Sequence, residues 1–260
     1  MKASELFERY RSAFGTVPPA AQAYVCHYCL GPQDPNFAQC AGCHRLFHRV
    51  HQLSEHHWES VPGELRNSIV PMTAALNPSP WYAYLLQYKR GYLDAYGPIM
   101  AVLAHTYLGQ HEAQVAGLLG GEPTCVTVVP SKRGFGYAEQ PLVRALSRAP
   151  SLARQLTQTL EFIPGASVGR HQYNPAAFRR AGAALKTRRV LLLEDAWVTG
   201  ATATSTAGAL LREGAAAVAI LSLARVVDAG YWSDANHPYR KAMAAPYDPD
   251  NWPRQDKQPD

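Results

Sequence analysis

Residues 188–227 read RRVLLLEDAWVTGATATSTAGALLREGAAAVAILSLARVV. An apolar run, an acidic pair, a turn of small residues, an Ala-rich stretch and a second apolar run follow one another, the pattern of a βαβ unit. Neither apolar run alternates with polar residues, so both strands are expected to be buried on both faces, as in a parallel sheet covered by helices. Upstream, CVTVVP (125–130) is a short β-branched run stopped by Pro130 and followed by the basic loop SKRGFGY. AEQPLVRALSRAPSLARQL (138–156) has helical spacing, and LEFIP (160–164) predicts another short strand. GASVGRHQYNPAAFRRAGAALKT (165–187) is polar and basic, which predicts a mobile loop over a site. From Trp81 to Leu119 apolar residues recur at helical intervals, broken near Gly91 and at Gly97-Pro98, as two or three helices would be. The stretch beyond Trp232 is rich in Pro, Asp and Asn without periodicity and predicts a loosely ordered tail. The fold class is therefore α/β.

Four of the five cysteines are Cys26, Cys29, Cys40 and Cys43, two CxxC knuckles separated by ten residues. Each knuckle presents two thiolates on a tight turn, and a short connection lets both pairs close a tetrahedron around Zn²⁺. Two disulfides would use the same cysteines; the N-terminus shows no secretion signal, and a reducing compartment favours zinc. Four thiolates leave no position for water, so the site is expected to be structural. His27, His44, His48, His51, His56 and His57 crowd the same stretch and are read as surface or supporting groups, because the cysteine set is complete. Cys125 stands alone before a strand and reads as a small buried side chain.

The 260 residues, 47% hydrophobic, suffice for one α/β domain and a small module. Lys and Arg number 25 against 20 Asp and Glu, a formal net charge of +5 that suits an anionic ligand without naming it. No apolar run reaches the ~18 residues of a membrane span, so a cytoplasmic protein with no membrane partner is expected.

In VLLLEDAWVTGAT (190–202) Glu194 and Asp195 close a strand, and Thr199, Gly200, Ala201 and Thr202 open the next helix. A small-residue turn at a helix N-terminus aims backbone N–H groups and the positive end of the helix dipole at one spot, where a phosphate binds. The two carboxylates precede it where they can reach ribose hydroxyls of the same ligand, directly or through Mg²⁺. The chain has neither GxGxxG after a strand nor GxxxxGK[ST], so dinucleotide and Walker-type readings lack their residues.

This segment resembles the signature of type I phosphoribosyltransferases, in which an acidic pair precedes a T-G-x-T phosphate loop that binds phosphoribosyl pyrophosphate (PRPP). The order of a four-cysteine ribbon, YKRG (88–91), VTVVPSKRGFGYAEQ (126–140) and the PRPP motif resembles the ComF-like (competence protein F) branch over residues 24–227. The resemblance implies a type I phosphoribosyltransferase fold over residues 61–230, after an N-terminal helix (1–20) and a zinc ribbon (21–60) and before the tail (231–260). It implies that Glu194 and Asp195 hold the ribose hydroxyls, that Thr199, Gly200, Ala201 and Thr202 bind the 5′-phosphate, and that Ala196 is among the PRPP-binding residues. Ser131, Lys132 and Arg133 match the pyrophosphate loop, where cations stabilise the leaving group. Glu194, Asp195, Lys132 and Arg133 are thus the candidate catalytic residues, with Lys89 and Arg90 as lesser ones. The chain departs from the branch where Arg133-Gly134-Phe135-Gly136-Tyr137 replaces an RGFNQ-like element, and where only Asn174 and Phe178 remain of a longer loop.

Two functions follow as expectations. One is Mg²⁺-dependent transfer of phosphoribose to a nitrogen acceptor with release of pyrophosphate. The other is a non-catalytic adaptor that responds to PRPP or a nucleotide, its ribbon docking a protein or single-stranded DNA. Arg144, Arg148, Arg154, Arg170, Arg179, Arg180, Arg188 and Arg189 would supply scattered positive surface for the second. An oligomer is compatible with either.

Overall fold

The apolar runs at 190–193 and 218–224 are strands buried on both faces in the computed structural model, which describes residues 2–37, 39–47, 61–66, 68–231 and 236–254. In chain order the elements are α1 (Ala3–Arg11), α2 (Ala41–Phe47), α3 (Gly63–Arg66), β1 (Ile69–Asn77), α4 (Pro80–Gln87), α5 (Leu93–Gln110), α6 (Glu112–Leu119) and β2 (Cys125–Val128). They continue with α7 (Pro141–Leu146), α8 (Pro150–Ala153), β3 (Leu160–Phe162), β4 (Phe178–Arg180), β5 (Arg189–Trp197), α9 (Ala201–Arg212), β6 (Ala217–Asp228) and α10 (Pro238–Met243). The main sheet has the order β1-β6-β5-β2, and every neighbouring pair is parallel.

Successive residues of a strand point to opposite faces, and the two faces make separate cores. Val126, Val128, Leu191, Leu193 and Leu221 pack with Met100, Leu103 and Tyr107 of α5 and with α7. Val190, Leu192, Val218 and Ile220 pack with Ala203, Ala207 and Leu210 of α9, and the four cysteines belong to this same cluster. Helices therefore flank a parallel sheet, and the cysteine module lies against it on the α9 face.

Three stretches differ from their sequence reading. β1 was not foreseen, because Pro71 and a polar end obscure IVPMTAALN; yet β1 pairs with β6 along its length, Ile69 opposite Ile220 and Asn77 opposite Asp228. As an edge strand it tolerates proline. LEFIP forms the expected short strand, β3, which pairs antiparallel with β4 inside the stretch expected to be a mobile loop. That stretch is docked, with Phe178 against Phe162 at 5.4 Å, Asn174 N donating to Ser205 Oγ at 2.9 Å, and Tyr173 covering Gly208 so closely that a Cβ there would meet its hydroxyl at 2.0 Å.

Residues 236–254 of the tail expected to be loosely ordered also pack, while 232–235 and 255–260 lie outside the described residues. Tyr239 is fully buried and its hydroxyl donates to the Leu30 carbonyl at 2.7 Å; Met243, Tyr247 and Arg254 are buried as well. Its polar composition hid these anchors, which are spaced too irregularly to show a period. Among the described residues no helix is long and apolar enough to cross a membrane.

Candidate functional site

A cleft of about 290 Å³ opens at the C-terminal ends of β2 and β5. These parallel neighbours are where the chain's path divides: after β2 it moves outward, Leu156 bridging Val126, whereas after β5 it returns to β6 on the other side. Such a division leaves a crevice between the two departing connections, the usual place for a ligand in an open α/β sheet. Ser131, Lys132, Arg133, Glu194, Asp195, Ala196 and Thr202 line it, so the structure brings these sequence candidates together. Tyr88, Lys89, Phe135 and Gln140 line it too.

The loop after β2 is held by its own side chains. Gln140 Oε1 accepts from Ser131 N at 3.1 Å, and Ser131 Oγ accepts from Arg133 N at 3.2 Å. Lys132 is exposed, and its Nζ donates to the Val168 carbonyl at 3.0 Å; desolvation by partial burial lowers its pKa against the opposing pull of Glu194.

Asp195 is the most engaged acid of the cleft. Lys89 Nζ lies 2.6 Å from Oδ2, and the Tyr88 hydroxyl donates to the same oxygen. Burial works against the charge of Lys89, but Asp195 outweighs it and the ammonium is held above its ordinary pKa. Burial and then Asp195 keep Tyr88 protonated well beyond the ordinary range. Glu194 is different: burial, followed by the charge of Asp195, raises its pKa to about 8, and Oε2 is buried without a hydrogen-bond partner. An unpartnered buried carboxyl oxygen costs stability and marks a place for a donor or a hard cation.

The turn between β5 and α9 depends on Gly200, whose φ of +78° is left-handed and whose Cβ, were one present, would lie 2.0 Å from the Trp197 indole. Gly200 supplies no capping side chain, and the hydroxyls of Thr204, Ser205 and Thr206 turn back to carbonyls of their own helix. The first-turn N–H groups of α9 therefore lack intrahelical acceptors. Thr202 reaches the cleft lining, whereas Thr199, Gly200 and Ala201 lie outside that lining in the adjoining turn.

Family models and curated proteins were both compared with the chain. Neither comparison gives a match.

The second constellation is the four-cysteine centre. The Sγ atoms of Cys26, Cys29, Cys40 and Cys43 all lie within 4.8 Å of one another, and all four residues are buried. Cys29 and Cys40 are 3.7 Å apart sulfur to sulfur, which matches the edge of about 3.8 Å for a tetrahedron with Zn–S bonds of about 2.3 Å rather than a disulfide bond of about 2.05 Å. Backbone N–H groups support the sulfurs: Cys40 N lies 3.3 Å from Cys26 Sγ and Cys43 N 3.4 Å from Cys40 Sγ. Hydrogen bonding with Cys26 draws Cys29 and Cys40 below the ordinary thiol range. These residues fit a structural zinc ion, and no histidine belongs to the group found among the described residues. His48, His51, His56 and His57 lie outside the described residues. Cys125 is buried in β2, and burial raises its pKa, as suits a packing residue.

Several arginines of the expected positive surface are engaged locally. Arg148 pairs with Asp94, Arg179 with Glu161 and Arg180 with Glu213, while Arg188 and Arg189 donate to the carbonyls of Thr124 and Glu122. Lys89 was a lesser candidate in sequence and is a central one in space. Tyr88 was missed, since its partner Asp195 lies 107 positions away.

Proposed function

We propose that this chain binds PRPP in the β2–β5 cleft and is a ComF-like phosphoribosyltransferase with a type I fold. The observation that carries the reading is the meeting of three segments at one strand-end cleft: the Ser131–Arg133 loop, the Glu194–Asp195 pair and Thr202 at the start of α9. Each suits a different part of one ligand. The N–H groups at the start of α9, of which Ala201 N reaches only Thr199 Oγ1 at 3.5 Å, suit the 5′-phosphate. Glu194 and Asp195 accept from the ribose hydroxyls, and Lys89 pairs with Asp195 beside them. Arg133 and Lys132 face the pyrophosphate. Transfer breaks the bond from C1′ to the pyrophosphate oxygen, whose electron pair leaves with pyrophosphate; a nitrogen acceptor forms the new C1′–N bond and gives up a proton. Lys132 and Arg133 stabilise the charge that gathers on the leaving group. Mg²⁺ bound with PRPP would neutralise part of that charge, and the all-oxygen pair Glu194 and Asp195 suits it.

Calorimetric titration of PRPP with Mg²⁺ into the zinc-loaded chain tests the reading. Binding is expected, weakened at least about tenfold by Asp195→Asn, the loss of one charge-assisted contact. No heat with the intact chain at millimolar PRPP would overturn it. Binding without pyrophosphate release against nitrogenous bases, ammonia and amide donors would favour the non-catalytic adaptor.

A further inference from the structure

Two buried arginines flank the cysteine centre. Arg225 of β6 stands in register between Ala74 of β1 and Trp197 of β5. Its Nη1 donates to the carbonyls of Trp197 and Val198 at 3.0 Å each and of Val226 at 2.6 Å. Its other edge lies against the first cysteine knuckle, where Gly31 leaves so little room that a Cβ would sit 2.6 Å from Nε and Nη2. Nε is buried there without a hydrogen-bond partner. Arg254 approaches from the tail, donating through Nε to the Ile69 carbonyl at 2.8 Å and through Nη2 to the Tyr28 carbonyl at 2.6 Å.

A divalent ion on four thiolates has a net charge of about −2, and a buried charge of that size requires nearby cations. Arg225 and Arg254 meet the requirement: Cys29 and Cys43 act on both guanidiniums, opposing the effect of burial on each. Only Arg225 also holds backbone of the turn that leads into α9. Trp197, one of its acceptors, in turn packs beneath Gly200.

We propose that Arg225 is a positioning residue that ties the four-cysteine centre to the turn Val198–Thr202, so that metal occupancy governs the order of that turn and its affinity for phosphate. The functional half of this inference rests on the PRPP reading; the structural half does not.

Hydrogen exchange of the full chain, zinc-loaded and chelator-stripped, separates the two because it needs no ligand. Stripping is expected to speed exchange at residues 198–204 by about tenfold, with the amides of α5 and β2 unchanged. In Arg225→Gln the same amides should exchange fast already with zinc bound, stripping should add less than about twofold, and Arg225→Lys should fall between. Unchanged exchange at the turn after stripping, or an equal rise in Arg225→Gln, overturns the coupling. Where stripping or Arg225→Gln unfolds the whole chain, Gly31→Ala decides, since it displaces the guanidinium without removing its charge. With zinc content intact, its turn must exchange faster than in the parent protein, and parent-like exchange refutes the proposal. Calorimetry on the same proteins then reads PRPP: weaker binding in Gly31→Ala completes the inference, whereas absence of PRPP binding in the parent protein sinks the ligand reading and leaves the exchange result standing.

Discussion

Glu194, in the C-terminal half of β5, carries a carboxyl that prefers its proton, the pKa having risen to about 8 through burial. Its value in an unfolded chain is about 4.3. Because the folded pKa is the higher one, the neutral acid stabilises the fold fully below the unfolded value, and that stability is lost as pH rises through the folded value. The free protein should therefore weaken between about pH 4 and pH 8 by ~2 kcal/mol, less than the whole separation would give because the carboxyl borders an open cleft. Urea midpoints across that range should slope for the parent protein and lie flatter for Glu194→Gln; parallel slopes would clear Glu194 of the effect. At Gly200 the constraint is steric. Gly200→Ala places a Cβ in the Trp197 ring at a left-handed φ, which should cost at least ~2 kcal/mol, read as a lower urea midpoint at constant slope. The acidic pair and the small-residue turn were legible because their chemistry is contiguous in sequence. Tyr88 and Lys89 gained their meaning from a partner 107 and 106 positions away in the chain, respectively, which no local pattern encodes.

Elements were legible where the environment is uniform. β5, α9 and β6 declared themselves because strands buried on both faces need unbroken apolar runs. β1 has a proline and lies at the sheet edge, where the rules relax, and β4 is three residues held by pairing with β3, an aromatic contact and the ion pairs of Arg179 and Arg180. The tail misled most, since its anchors Tyr239, Met243, Tyr247 and Arg254 are scattered among polar residues. Its packing makes a firm prediction. Ending the chain at residue 236 removes two buried tyrosines and a buried methionine, each worth about 2–5 kcal/mol, and strips Tyr28 and Ile69 of their guanidinium donor. Such a chain should fail to give a cooperative thermal transition; a truncated protein melting within a few degrees of the parent would show the tail to be dispensable.

At the scale of the whole molecule, the sheet order puts a ligand crevice and a metal-ligating module on one body, joined through the α9 face. The four cysteines share a hydrophobic cluster with Trp197, Ala201 and Ala203, the residues around the candidate phosphate turn. The CxxC spacing announced the module, but nothing in it announced which face of the sheet it would cover, because that depends on contacts with residues some two hundred positions downstream such as Arg225 and Tyr239. A ligand that binds only the folded cleft must stabilise this whole body by mass action. PRPP with Mg²⁺ at about 100 times its Kd should add about 2.7 kcal/mol, a rise of roughly 5–11 °C in Tm for a domain of 150–250 residues. The rise should fall to about half or less in Asp195→Asn, where a tenfold weaker Kd leaves about 1.4 kcal/mol at most, and survive in Cys125→Ala, whose side chain is buried in β2 away from the cleft lining. A Tm that ignores PRPP in the zinc-loaded parent, or that rises equally in Asp195→Asn, would move the ligand out of the β2–β5 cleft.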